Sequence, residues 1–248
     1  MGTVLAVSSG KGGTGKSSFC ANIAVALCAA GEKVLLIDAD AGLRSLDLVL
    51  GASDSVIFSY ADVIKGISSL KNAAARHETV KNLRILTAPS EPDLFSREEI
   101  NALVSCAREH FSFVIIDCPA GIDGNVRDFC ACADKVAVIA TPDRISLRTA
   151  QKMGMLIKGE SEKEVKLVVN RVLKRMVERG DTLNIDEALD GSGLPLLGIV
   201  PEDKAVISCG NAGKLLAFER KSQAYNAYTN IAGRLCGESV KLLSGVKI

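Results

Sequence analysis

One segment near the amino end constrains the fold of this chain more than any other: Gly10-Lys11-Gly12-Gly13-Thr14-Gly15-Lys16-Ser17-Ser18. It matches the pattern G-x-x-x-x-G-K-S of a phosphate-binding loop. In such a loop the glycines let successive backbone N–H groups turn toward one anion, and the following helix adds the positive end of its dipole. The pattern predicts that Lys16 contacts the β- and γ-phosphates of a nucleoside triphosphate and that the Ser17 hydroxyl is a ligand of Mg²⁺.

The residues on either side of the loop have the pattern that a phosphate-binding loop requires. Val4-Leu5-Ala6-Val7-Ser8 is a short apolar run typical of a buried strand. Phe19 to Ala30 is apolar, rich in alanine and of helical length. A strand before the loop and a helix after it are therefore both predicted, as the motif needs.

The same glycines also fit a second pattern. Gly10-x-Gly12-x-x-Gly15 satisfies the dinucleotide-binding fingerprint, and Asp38 lies roughly 20 residues further on, about where a ribose-binding acid belongs. Lys16 and Ser17 favour the first interpretation, because a nucleoside triphosphate with Mg²⁺ needs a lysine and a hydroxyl just inside the helix. A dinucleotide turn has no use for either.

Strand-like and helix-like segments alternate along the rest of the chain. This alternation predicts an α/β fold, a single-domain P-loop NTPase with a mostly parallel central sheet and helices on both faces. The hydrophobic content of 48% is ample for such a core. Predicted strands are Val4–Ser8, Val34–Ile37, Leu83–Thr87, Phe113–Ile116, Val136–Ala140, Val165–Val169 and Leu196–Val200, and predicted helices include Ser17–Ala30, Arg97–Glu109, Ser146–Ile157 and Thr182–Leu189.

Composition limits the classes of function and the compartment. Thirty basic and 29 acidic residues give a net charge of +1, which argues neither for nor against nucleic acid. The eight cysteines contain no C-x-x-C pair, so we expect reduced cytosolic thiols rather than a disulfide framework or an iron–sulfur scaffold. Met1 leads directly into the first strand without room for a signal peptide, and no apolar stretch is long enough to span a membrane. We therefore expect a cytoplasmic protein.

Carboxylates end two further apolar runs. Asp38-Ala39-Asp40 follows one run, and Asp117 follows another with Gly121 shortly after it. Near a metal-bound phosphate, one carboxylate can orient metal-bound water, another can position the attacking water, and a glycine N–H can reach the γ-phosphate. Each acid alone is equally consistent with a solvated loop. Since parallel strands present their carboxyl ends at one edge, the three loops together favour a nucleotide site.

These motifs together resemble the MinD/ParA class of ATPases. The additional lysine, Lys11, resembles the deviant Walker A signature of that class. Three stretches are similar to its MinD branch: Asp38-x-Asp40-x-Gly42-Leu43-Arg44-x-Leu46-Asp47-Leu48, Asp117-x-Pro119-Ala120-Gly121-Ile122 and Gly198-Ile199-Val200-Pro201-Glu202-Asp203. The resemblance runs to about Glu238. It implies a slow, Mg²⁺-dependent ATPase that forms an ATP-dependent homodimer and acts with Min-system partner proteins in placing the division septum.

The resemblance also implies a role for individual residues around the phosphates. Lys11 would reach across the dimer to the partner's phosphates, where a second ammonium can neutralise charge in the transition state. Ser18 would contact the α-phosphate. Asp40 would position the attacking water, and Asp38 and Asp117 would act on Mg²⁺ through water.

Two further stretches are implied to hold the base. Asn170-Arg171 follows a predicted strand, where the family contacts adenine with an asparagine amide and a stacked arginine. Pro201 and Asp203 fall in the loop that closes over the base. An asparagine at a strand end is also an ordinary turn residue.

The last residues depart from the family pattern, in which an amphipathic helix inserts in the membrane. In residues 239–248, Lys247 falls inside the apolar arc of a helical wheel and Gly245 weakens the helix. We therefore expect an ATPase domain over residues 1–238, followed by one of two alternatives. Residues 239–248 are either a weak tail that targets an anionic membrane surface in the ATP-bound state or the frayed end of a helix over Ser222–Leu243.

Two relatives in the same class offer alternative functions. A ParA-like ATPase that partitions DNA cargo would need a basic surface, and the local cluster of Arg171, Lys174, Arg175 and Arg179 is more typical of a solvated helix face. A flagellar-placement ATPase is the other alternative. Proteins of that kind often carry an extension before the first strand, whereas here Met1 leads directly into it.

Overall fold

A single central β-sheet carries all of the loops discussed above. The computed structural model describes residues 1–41, 45–52, 57–91, 93–160 and 163–241. Within these residues the strands are β1 Thr3–Ser9, β2 Val34–Asp38, β3 Ala75–Arg76, β4 Leu83–Leu86, β5 Phe113–Ala120, β6 Lys135–Ala140, β7 Glu164–Val172 and β8 Leu196–Pro201. Their order is β3-β4-β2-β5-β1-β6-β7-β8, and every pairing is parallel except that of β3 with β4.

Helices connect the strands and lie on both faces of the sheet. In the described part of the chain they are α1 Lys16–Ala29, α2 Leu46–Leu50, α3 Tyr60–Ile64, α4 Leu70–Ala73, α5 Arg97–His110, α6 Gly124–Ala131, α7 Arg144–Glu160, α8 Lys174–Arg179, α9 Ile185–Ser192, α10 Lys204–Asn211 and α11 Gln223–Leu235, with a 3₁₀ turn at Leu216–Phe218.

The core is divided into two layers by the alternation of side chains along the strands. On β1, Val4 faces a cluster that includes buried residues of α5, α6 and α7. Its neighbour Leu5 faces a second cluster that includes buried residues of α1 and α11. Continuously apolar strands are therefore buried on both faces, which is why the sequence shows runs rather than alternation.

The predicted fold class is confirmed: the chain is a single α/β domain with a mostly parallel sheet covered on both faces. All seven predicted strands are present. β3 was not predicted, because its two residues are too short to show a pattern and depend on antiparallel pairing with β4. The helix predicted at Thr182–Leu189 begins later, at Ile185, because Asn184 and Glu187 form a reciprocal capping box.

The prediction of a helix over Ser222–Leu243 is wrong. The helix α11 ends at Leu235, and Gly237 has a φ of 89° beyond it. Residues 236–241 are not helical. Instead, the Arg234 guanidinium donates to the carbonyl oxygens of Val240 and Lys241. Residues 242–248 lie outside the described part, as does the Gly42-Leu43-Arg44 portion of the second motif.

Candidate functional site

The loop between β1 and α1 has the backbone of an anion-binding turn. Gly13 and Gly15 adopt φ values of 77° and 94°, a region that costs a residue with a Cβ roughly 1–2 kcal/mol. Gly15 is the N-cap of α1, and its lack of a side chain leaves the helix without a side-chain cap. The first N–H groups of α1 are therefore available to an anion at the positive end of the helix dipole.

Neighbouring elements hold this loop in place. Asn170, on β7, is 4% exposed, and its Nδ2 donates to the Thr14 carbonyl at 2.7 Å. A Cβ on Gly15 would overlap this amide nitrogen. Gly10 packs closely against Thr149 of α7, while a Cβ on Gly12 would meet open space. Position 15 therefore requires glycine for both conformation and space.

Asp38 and Asp117 lie side by side at the carboxyl ends of adjacent strands. They are register partners of β2 and β5, and they are 1% and 0% exposed. The backbone N–H groups of Asp40 and Leu46 donate to the Asp38 carboxylate at 3.0 and 3.4 Å. Burial nevertheless raises the pKa of Asp38 to about 6, because the charged form is poorly solvated.

Asp117 is the least satisfied of the acids. Burial raises its pKa to about 7, against the lowering effects of the Ser17 hydroxyl and the Lys16 ammonium. Although Ser17 is close, neither oxygen of Asp117 receives a hydrogen bond of good geometry from the residues that the structure describes. The Thr14 hydroxyl is buried without a partner in the same way. Unpaired buried polar atoms are costly, so these groups are suited to contact a cation, water or ligand.

The residues present fit Mg²⁺ held mainly by the nucleotide. Among the described residues, no group of three or more His, Cys, Asp or Glu side chains is placed to hold a metal ion directly. Mg²⁺ commonly keeps several waters and takes one or two protein ligands together with phosphate oxygens. In such an arrangement Ser17 would be the direct ligand, and Asp38 and Asp117 would act through water.

Lys16 and Asp40 face the same region from opposite loops. Lys16 is 8% exposed. Burial raises the pKa of the half-buried Asp40, and the nearby Lys16 ammonium acts against this rise. Lys16 lowers the pKa of Asp117 as well. A cation therefore lies among the acids where a triphosphate would bring further negative charge.

Lys11, by contrast, is exposed to solvent. The Ser9 hydroxyl donates to its carbonyl oxygen at 2.8 Å and fixes the backbone of the loop. The Lys11 ammonium lies near Asp143, just before α7. The pKa of Asp143 lies below its usual value despite burial, because the Thr141 hydroxyl donates to it and Lys11 adds attraction. Asp143 was missed, although it follows the end of β6 and so carries the strand-end signal that identified the other acids.

The Gly121 N–H, which was predicted to contact the γ-phosphate, has a partner within the protein. In the structure this N–H donates to the Ser9 carbonyl at 3.1 Å. Gly121 has a φ of 112°, which suits its turn after β5. Its N–H can therefore reach a γ-phosphate only if this hydrogen bond opens.

A groove of about 540 Å³ continues from the loop toward α10 and α11. Its volume is within the range of small-molecule sites. It brings together six of the residues predicted to touch the nucleotide: Gly15, Ser18, Asn170, Arg171, Pro201 and Asp203. Its apolar wall was not predicted: Leu48 was noted only as part of a family motif, and Ile207 and Tyr228 come from helices that carry no motif.

Two of the groove residues have roles within the protein. Arg171 has a φ of 60° and is alone among the described non-glycine residues in having a positive φ; its guanidinium is 3.9 Å from Glu202. Asp203 is the N-cap of α10, and its Oδ2 accepts hydrogen bonds from the Ser222 hydroxyl and the Ala224 N–H. The Asp203 carboxylate therefore ties α10 to α11 at the edge of the groove.

The basic cluster considered for DNA lies beside this groove. Every residue of α8 is at least partly exposed. Lys174 is 3.8 Å from Glu178 on the same helix face, an i,i+4 spacing typical of solvated helices.

Comparison with known proteins places these features in a family context. Residues 5–216 match the CobQ/CobB/MinD/ParA nucleotide binding domain. The chain is 37% identical to the septum site-determining protein MinD of Bacillus subtilis (strain 168), over 98% of this chain and 92% of that protein. It is 35% identical to the MinD of Thermotoga maritima, over 98% and 91%.

Solved structures agree with the sequence relatives. The chain is similar to a chain of the MinC:MinD cell division protein complex of Aquifex aeolicus, with a TM-score of 0.92 and 32% identity over 97% of this chain and 98% of that one. It is also similar to the MinD of Pyrococcus horikoshii OT3 complexed with Mg-ADP, with a TM-score of 0.83 and 26% identity over 95% and 96%. In the described residues, no helix is both long enough and apolar enough to cross a membrane.

Proposed function

The chain belongs to the CobQ/CobB/MinD/ParA family of nucleotide-binding domains, and we propose that it uses ATP as a MinD-type switch in placing the division septum. It is an ATPase that takes ATP and Mg²⁺, as the deviant Walker A motif predicted, and the predicted kinship with MinD is confirmed. The MinC:MinD complex of Aquifex aeolicus supports a Min-system protein as its partner.

One observation carries this proposal at the level of the site. The three strand-end loops of β1, β2 and β5 place Lys16, Asp38 and Asp117 within one buried region, and Asp117 receives no hydrogen bond of good geometry from the described residues. We assign the N–H groups of α1 and Lys16 to the phosphates. Ser17 would hold Mg²⁺ directly, with Asp38 and Asp117 acting through water, and the ion would supply neutralisation of phosphate charge.

We assign the attacking water to Asp40. This carboxylate is half-buried, lies near Lys16 and follows Asp38 in the same loop. A carboxylate in this place can accept a hydrogen bond from water and direct the oxygen toward the γ-phosphate. Asp40 thus orients a nucleophile that Asp38, held by two backbone N–H groups, is not free to orient.

We assign Lys11 to the partner's ATP in a homodimer. Its side chain is exposed, and a buried transition state gains most from a cation that arrives with a second subunit and excludes water. Hydrolysis then depends on dimerisation. ATP favours the dimer because each nucleotide contacts both subunits.

Matched alanine substitutions test these assignments. We expect Lys16→Ala to lose ATP affinity, Lys11→Ala to keep ATP but lose hydrolysis and dimerisation, and Asp40→Ala to remain an ATP-bound dimer. Nucleotide binding, phosphate release and light scattering after gel filtration separate the three outcomes. Arg220→Ala, an exposed basic residue, is the control. Normal hydrolysis by Lys11→Ala would exclude the cross-subunit mechanism.

We further propose that residues 239–248 attach the ATP-bound dimer to anionic membrane at the cytoplasmic face. Val240 and Lys241 lie near the amino end of β8, since Arg234 donates both to the Leu197 carbonyl and to the carbonyls of these two residues. Sedimentation with anionic liposomes in Mg-ATP and in Mg-ADP tests this. Pelleting in ATP alone supports the attachment, and loss of pelleting in a chain ending at residue 238 identifies the tail. Pelleting in neither nucleotide excludes it.

A further inference from the structure

A second cavity, of about 640 Å³, opens at the opposite edge of the sheet from the phosphate-binding loop. It lies at the amino ends of β2, β4 and β5, between α4 and the end of α5, with Lys33, Asn82 and Phe111 at its wall. At about 3.3 Å per residue, the five residues of β2 place it roughly 16 Å from Asp38. It is therefore separate from the nucleotide site.

The charged residues that line this cavity are all basic. No Asp or Glu is among its lining residues in the described part of the chain, and none of its lysines or arginines has a carboxylate within 4.0 Å there. The net charge of the whole chain is only +1, so this concentration is local. The basic residues are Lys33, Lys71, Arg76, Lys81, Arg84 and His110.

Strand pairing places two of these cations, Arg76 and Arg84, directly opposite each other. Arg76 of β3 is the antiparallel register partner of Arg84 of β4, and like charges directly opposite each other destabilise a strand pair. Burial and the neighbouring Arg76 lower the pKa of Arg84. The Arg84 guanidinium is nevertheless held in place, because its Nη1 donates to the Ala74 carbonyl at 2.9 Å. An anion between the two guanidinium groups would relieve the repulsion.

The cavity also has an apolar floor. Leu70 and Ala74 are buried, and Phe111 is half-buried. At the rim, the Lys33 carbonyl accepts hydrogen bonds from the Ser112 and Phe113 N–H groups at 2.9 and 3.1 Å, so the backbone beneath this lysine is fixed. An apolar floor with a few convergent charged groups is typical of a small-molecule site. Extended nucleic-acid surfaces instead follow the backbone along a groove.

We propose that this basic cavity binds a phosphate monoester carried on an apolar body. Planar guanidinium groups pair with phosphate oxygens through two parallel hydrogen bonds, and Arg76 and Arg84 are placed to do so from neighbouring strands. The apolar part of the ligand lies on Leu70, Ala74 and Phe111. The same chemistry occurs in free organic phosphates and in phosphatidic acid, whose phosphate monoester is carried on an apolar diacylglycerol.

Calorimetric titration with 1-naphthyl phosphate tests the site in the full chain saturated with Mg-ADP, so that the phosphate-binding loop is occupied. We expect one site per chain, and affinity at least about tenfold weaker in Arg76→Gln, because one charged pair is lost. Lys71→Gln, at an exposed position of α4, is a second variant with the same expectation. Arg220→Gln carries the same charge change outside the cavity and should bind as the unmodified chain does.

Unchanged ADP affinity in Arg76→Gln shows that the variant is folded. Equal affinity of the probe for this variant, Lys71→Gln and the unmodified chain would overturn the proposal. So would equal binding of neutral 1-naphthol, since the phosphate would then contribute nothing.

A competition arm distinguishes the two sources of phosphate. Displacement of 1-naphthyl phosphate by phosphatidylcholine vesicles containing phosphatidic acid, but not by phosphatidylcholine alone, supports a lipid headgroup as the ligand. Retention of the probe supports a free organic phosphate. Displacement by duplex DNA, weakened in Arg76→Gln, would overturn the small-ligand assignment in favour of nucleic acid.

Discussion

Replacing Asp117 by asparagine should make the nucleotide-free protein more stable at alkaline pH. The side chain is fully buried, and neither of its oxygens receives a hydrogen bond of good geometry from the described residues. Burial raises its pKa from the ordinary value of 3.8 to about 7. The folded protein therefore binds a proton in a pH range where the unfolded chain has released it. An asparagine has the same shape and no charge to bury.

The sign and size of the effect follow from proton linkage. Because the folded-state pKa lies above the unfolded-state value, the stabilisation from Asp117 is fully present below about pH 4 and is lost as the pH rises through about 7. Between pH 5 and pH 8 this amounts to about 3 kcal/mol of unfolding free energy, at about 1.4 kcal/mol for each pH unit below the folded-state pKa. Asp38, with a pKa raised to about 6, acts in the same direction.

Urea unfolding followed by circular dichroism, in EDTA and without nucleotide, measures this at several values between pH 5 and pH 8. Relative to the unmodified chain, Asp117→Asn should gain about 3 kcal/mol of unfolding free energy as the pH rises from about 5 to about 8. Asp181→Asn, at an exposed position, is the matched control and should follow the unmodified chain. Mg-ADP should reduce the pH dependence of the unfolding free energy of the unmodified chain, because a nearby cation favours the ionised carboxylate. Parallel curves for Asp117→Asn and the unmodified chain without nucleotide would refute the reasoning.

Three further substitutions test packing around the site and the sheet. Gly15→Ala should lose roughly 2–4 kcal/mol of stability, because the φ at this position is unfavourable for alanine and its Cβ would displace the buried Asn170 amide. It should also weaken ADP binding in a calorimetric titration, and unchanged binding would contradict the close fit. Gly198→Ala should cost about 1–3 kcal/mol without altering ADP affinity, because its Cβ would overlap Ile231 of α11; urea unfolding checks the first part and calorimetry the second. Asp203→Ala should cost about 1–3 kcal/mol in urea unfolding, because the helix cap and the hydrogen bonds to α11 are lost. Asp203→Asn keeps an acceptor oxygen and should recover part of that loss. Equal stability of the two variants would mean that side-chain hydrogen bonding at this position contributes nothing.

The local sequence was sufficient to predict the role of a residue wherever that residue acts together with its near neighbours in the chain. The glycines and Lys16 follow one another in the chain, so their joint role in an anion-binding turn could be predicted before any fold was known. Strand-end acids could be predicted in the same way, because parallel strands bring their carboxyl ends to one edge. The α/β architecture itself followed from alternating strand and helix patterns, whose periods differ.

Tertiary structure decided what depends on contacts between distant segments. The hydrogen bond from Asn170 to Thr14 joins residues 156 positions apart. The hydrogen bond from the Gly121 N–H to Ser9 joins the turn after β5 to β1. No pattern within any one of these segments predicts either bond. The basic cavity is likewise assembled from the ends of four strands and from two helices. A chain determines its own turns and periodicities through interactions between near neighbours, whereas burial, pKa and cavity shape arise only when separate segments exclude water from one another.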